Sequence, residues 1–79
     1  MKLKKNIATS EDGFIFNPGT GDSFSTNSIG TDIISMLKDE KTIQFINDNI
    51  CAKYDADQNQ FEKDLDDYLA QLKDFSILD

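Results

Sequence analysis

Two turn signals standing close together fix the first third of this chain. Asp12–Gly13 is a pair that closes two-residue hairpins, because both central positions tolerate positive φ. The stretch NPGTGD (17–22) is a second turn, in which Pro18 fixes φ while Gly19 and Gly21 permit left-handed backbone. The segment left between them, FIFN (14–17), has room for one short strand. Phe14 and Phe16 then share one face of it and Ile15 takes the other. NIAT (6–9) before the first turn and DSFST (22–26) after the second read as its neighbours. In the latter, Phe24 points to one face and Ser23 and Ser25 to the other. Three consecutive strands joined by short turns predict an antiparallel meander.

Everything beyond residue 26 has helical spacing. Asn27 is a good N-cap, and Ile29, Ile33, Met36 and Leu37 form one stripe before KDEK ends the segment. Thr42 caps a second helix whose stripe is Ile43, Ile46, Ile50 and Tyr54, with Phe45 beside it. DAD (55–57) breaks it. Asp57 caps a third helix, and Gln60 completes a capping-box pattern. Phe61, Leu65, Tyr68, Leu69, Leu72 and Phe75 form the cleanest amphipathic stripe in the chain, opposite Glu62, Lys63, Asp66, Asp67 and Lys73. In SILD, Ile77 or Leu78 is expected to pack back on the core. The order β-β-β-α-α-α predicts an α+β domain, with helices covering one face of a three-stranded antiparallel sheet.

The chain has 79 residues and a mass of 8.9 kDa, and is read as a single domain over residues 1–79. Area scaling for that mass buries roughly 63% of the unfolded surface, enough for one small core but not for a deep active-site cavity besides. No apolar window is long enough to cross a bilayer. The basic start MKLKKNIATSEDG has no apolar stretch behind it, so a secretory signal is not expected.

Composition narrows the chemistry. There is no histidine, which removes Cys–His, Ser–His and His–metal schemes. The one cysteine, Cys51, sits in a helical stripe and reads as a small buried apolar residue in a reducing cytoplasm. Asp55, Asp57 and Asn59 match the first ligand positions of a calcium loop. However, Gln60 stands where that loop needs glycine, Asp66 where it needs glutamate, and the helical stripe runs through the segment. GTGDS lacks the lysine of a phosphate loop. No catalytic residue, metal or cofactor is expected, and the carboxylates read as a solvated helix face. The net charge of −7, with basic residues clustered only at Lys2, Lys4 and Lys5, argues against nucleic acid and anionic membranes. Three helices with a small sheet are also the build of winged-helix DNA readers. Here, though, the third helix carries Glu62, Asp64, Asp66, Asp67 and Asp74, which repel a phosphate backbone.

DSFST is the last strand of the meander and so lies at a sheet edge. It carries neither Lys nor Pro, the residues that commonly blunt such edges. A short edge needs little protection; an open one also accepts an extended peptide by strand addition. If the third helix stands beside it, Phe61, Leu65 and Tyr68 line a groove with Phe24.

The stretch SEDGFIFNPGTGDSFSTNSIGTDIISML resembles the start of the PqqD family of pyrroloquinoline-quinone biosynthesis. The matching features are Asp12–Gly13, an apolar strand, Thr20–Gly21, the aromatic Phe24, and Asn27 followed by Gly30. The second half is similar too, with Thr42, Tyr54–Asp55 and a closing Ile77–Leu78. The resemblance implies a winged-helix-like domain that takes the leader of a ribosomally made precursor peptide as an extra strand. Such a domain presents the leader to a modifying enzyme, often a radical SAM protein. It assigns edge contacts to Ser23, Phe24, Ser25 and Thr26 and the helix wall to Phe61, Leu65 and Tyr68. Two other readings remain open at this level: a structural docking subunit of a larger enzyme, and a divergent winged-helix DNA binder.

Overall fold

The computed structural model describes residues 2–78. Strands β1 (Ala8–Thr9), β2 (Phe14–Asn17) and β3 (Asp22–Ser25) are followed by helices α1 (Ser28–Lys38), α2 (Ile43–Tyr54) and α3 (Gln58–Asp74). The sheet order is β1-β2-β3, antiparallel throughout, with Ala8 opposite Phe16, Ile15 opposite Phe24 and Phe16 opposite Ser23. The fold is therefore the expected α+β meander followed by helices.

The turns differ in detail from the expectation. Only Gly13 takes positive φ in the first loop, at 90°. Ser10 N–H donates to Phe14 O at 3.0 Å and Gly13 N–H to Ser10 O at 3.2 Å, so the loop is Glu11–Gly13 with glycine in its left-handed last position. In the second loop Gly21, at φ 79°, is the left-handed residue. β1 is shorter than residues 6–9, because Ile7 N–H turns back to Lys4 O at 3.2 Å and takes Asn6 out of the ladder.

All three helix caps form as their residue types predict. Gly30 N–H donates to Asn27 Oδ1 at 2.9 Å, Phe45 N–H to Thr42 Oγ1 at 3.1 Å, and Asn59 N–H to Asp57 Oδ1 at 2.8 Å. The capping box on α3 is only half made: Gln60 Nε2 donates forward to Asp64 at 3.3 Å instead of back to the cap. Asp55, left-handed at φ 52°, ends α2. Because α3 starts at Gln58, the calcium-like segment is helix rather than loop.

Ile15, Ile33, Ile34, Leu37, Ile46, Ile50, Phe61, Leu65, Leu69 and Leu72 make the centre of the core. Ile77 and Leu78 both pack into it, and Cys51 is buried beside α2's apolar stripe. Burial pushes the Cys51 thiol up, with Asp48 and Asp57 adding to the effect, so the sulfur stays an unreactive thiol. Leu3, between lysines, is also buried, and pairs with Leu78 in an isolated antiparallel bridge. Phe75 departs from the expected stripe: it lies one residue past α3 and is 48% exposed. No helix is long and apolar enough to cross a membrane among the described residues.

Candidate functional site: the bare edge of β3

β3 is the last strand of the sheet, and among the described residues no segment pairs with its outer side. Thr26 N–H donates to Gly13 O at 2.8 Å, which sets the phase of the ladder. In an antiparallel pair the main-chain groups alternate in direction, so Phe24, two residues back, also turns its N–H and C=O toward β2. Ser23 and Ser25 therefore turn theirs outward, to the bare edge.

α3 stands along this edge and is fastened to it at two points. Thr26 Oγ1 and Tyr68 OH lie 3.0 Å apart in a hydrogen bond. Phe24 and Phe75 meet with ring centroids 4.6 Å apart, tilted by 39°. Since Thr26 meets Tyr68 and Phe24 meets Phe75, chain directions in β3 and α3 are opposed. At the Thr26 end lies an open groove of about 430 Å³, with Ile29, Ile33 and Phe61 as its apolar lining, Asp64 and Tyr68 on the helix side, and Ser25 and Thr26 on the strand side.

Ser23, Phe24, Ser25 and Thr26 all belong to this edge, and Phe61 and Tyr68 line the groove, as their positions in the sequence suggest. Leu65 does not: it is 1% exposed and fully enclosed in the core beneath, where no guest side chain meets it. The reason is its place at the centre of the α3 stripe, with Phe61 and Leu69 one turn to either side. The rim of α3 nearest β3 is instead the neighbouring row Asp64, Tyr68 and Gln71, one helical stripe over, which Phe75 continues just past the helix end. Asp64, Ile29 and Phe75 were missed from the sequence, while Ile33, buried like Leu65, only underlies the groove. Reading the row next to the core stripe, rather than the stripe itself, is the signal that finds the α3 members.

The site offers main-chain hydrogen bonds, an apolar groove and one carboxylate. Among the described residues no group of three or more His, Cys, Asp or Glu is disposed to hold a metal. The arrangement defines a class of small α+β domain whose sheet ends in a bare strand beside a helix. The family model of coenzyme PQQ synthesis protein D (PqqD) matches residues 12–78, and the chain belongs to that family. Among solved structures it is similar to the chain in "TbiB1 in Complex with the TbiA(beta) Leader Peptide", with a TM-score of 0.93 and 30% identity over 100% of this chain and 95% of that one. No curated protein matches the sequence.

Proposed function

We propose that this chain binds the leader of a ribosomally made precursor peptide as a fourth strand on β3, and presents it to a modifying enzyme. The observation that carries the reading is the outward-turned main chain of Ser23 and Ser25, left bare beside α3. Strand addition supplies affinity through such groups, and side-chain pockets supply choice. The similarity to TbiB1, a protein in complex with a leader peptide, supports the same reading. In it, Ser23 and Ser25 give main-chain bonds, Phe24 and Thr26 shape the strand side, and Phe61 and Tyr68 the helix side. Leu65 holds the floor from below. Residues 1–79 act as one unit in the cytoplasm, by binding and not by chemistry: the chain lacks histidine, and its single thiol is buried. The enzyme it serves is of the radical SAM class or another peptide modifier.

The test exploits the ladder's alternation. Ser23→Pro removes an outward N–H, which an edge strand tolerates, whereas Phe24→Pro removes one that pairs with β2. Ser23→Pro is expected to keep the fold and weaken binding of a precursor leader peptide by about 1–2 kcal/mol, roughly five- to thirty-fold in Kd. Phe24→Pro is expected to unfold the sheet. Calorimetric titration with amide NMR reads both, and unchanged affinity in a folded Ser23→Pro chain rules out strand addition here.

A further inference from the structure

Two aromatic side chains have no part in the site so far. Phe14 and Phe16 are 60% and 43% exposed, on the sheet face turned away from the helices. A solvated face of an antiparallel sheet is ordinarily polar. A single exposed phenylalanine needs no explanation, but these two are aligned at i and i+2 on the same strand. Their cross-strand neighbours on β3 are Ser25 and Ser23, both exposed and both small. The outer face is thus a raised apolar ledge on β2, a low step on β3, and then the bare edge.

We infer that this ledge selects the guest: the bound segment carries large apolar side chains at two positions, i and i+2, that lean across Ser23 and Ser25 onto Phe16 and Phe14. The inference rests on strand addition at β3. A strand added there alternates its side chains, so every second one rises on the outer face beside the serines, while those between face the groove with Tyr68 and Ile29. Strands lie roughly 4.8 Å apart, so the guest backbone runs about 10 Å from β2, a gap that two long side chains leaning together close over a serine. Alanine or serine in the guest falls short of it. The peptide is therefore read on both faces, with the groove reading one set of positions and the ledge the other. The ledge is continuous with the edge that the guest occupies, which is why the guest, and not a separate partner, is its occupant.

A displayed library of random short peptides, selected in parallel on the intact chain and on its Phe14→Ser/Phe16→Ser variant, tests this. Both substitutions sit at exposed positions, and amide NMR confirms that each chain is folded. Peptides recovered on the native chain are expected to share large apolar residues at i and i+2, to shift the Ser23 and Ser25 amides, and to bind the variant about tenfold more weakly. Peptides recovered on the variant are expected to lack that pair. Equal affinity for both chains, with Ser23 and Ser25 still shifted, overturns the ledge and leaves strand addition standing. Shifts confined to other amides, or no recovered peptide, overturn both. Sedimentation of the two chains adds one more outcome: a change in self-association alone, with peptide selection unaltered, assigns the ledge to a second copy and overturns the inference.

Discussion

Gly30 shows how much of this site depends on single atoms. A Cβ placed there would lie 1.7 Å from Thr26 Oγ1 and 2.8 Å from Tyr68 OH, the two hydroxyls whose bond ties β3 to α3. Alanine gains roughly 1 kcal/mol of helix propensity over glycine at such a position. The clash outweighs it, since Thr26 must rotate away and the bridge to Tyr68 breaks. Gly30→Ala is expected to lower stability by about 1–3 kcal/mol in urea titration. In a Thr26→Ala background the same change is expected to cost less, because the nearer obstacle is gone. The sequence marks Gly30 only as the glycine after an Asn cap. Its reason lies across the fold, and no local pattern contains it. Asn17 is a parallel case. It closes the apolar run of β2, yet it is buried because its Oδ1 accepts from Gly19 N–H at 2.9 Å and its Nδ2 donates to Ser76 O at 3.3 Å, a partner 59 residues away.

At the level of elements, much was legible because it is local. Caps need one polar residue beside the first turn, and Asn27, Thr42 and Asp57 all cap as expected. Stripes need only spacing, so most of each helix core emerges from its periodicity, though buried Ile34 on α1 and Asn47 on α2 lie outside the expected stripes. What spacing leaves open is which margin of a stripe faces solvent and which faces a neighbour. Leu65 and Phe75 are misplaced for that reason, one too deep and one too exposed to match the expectation. Side-chain ties between helices are equally hidden. Asp32 on α1 accepts from Tyr54 OH at 2.6 Å and Lys53 Nζ at 2.9 Å, both at the end of α2. The Tyr54 bond first, then the Lys53 bond, hold its carboxyl below the ordinary value of 3.8. A carboxylate depressed in the folded chain adds stability that is whole above its unfolded pKa and is lost as pH falls through the folded one. Asp32→Asn is therefore expected to cost about 1 kcal/mol at pH 7, a figure kept small because Lys53 is largely solvated. The gap between variant and native chain should close as the pH is taken below Asp32's ordinary range. Urea midpoints across that range measure it; a gap constant down to full protonation would mean that the carboxylate charge plays no part.

For the whole molecule, a segment early in the chain meets one late in it. Leu3 and Leu78 bridge, and Lys4 N–H donates to Ile77 O at 3.0 Å. The sequence hides half of this, since Leu3 is a lone apolar residue among lysines and only a partner far along the chain gives it a place. The closure bears on the site. Ile77 follows Phe75 and Ser76, the residues that meet Phe24 and Asn17 and so fasten the end of α3 to the sheet. A domain this small has few buried side chains to spare and sits at the low end of a stability range of about 5–15 kcal/mol. Leu3→Ala, at a site 8% exposed, is expected to cost about 2–3 kcal/mol, a large share of that total. Hydrogen exchange should locate the loss: the Lys4 and Ile77 amides are expected to lose protection first, while Thr26, bonded to Gly13 on the other side of the sheet, keeps its own until global unfolding. If Leu3→Ala instead speeds exchange at Thr26 and Ile77 equally, the loss is global and the bridge does not brace the end of α3 in particular. The far wall of the β3 edge would then be held by the helices alone.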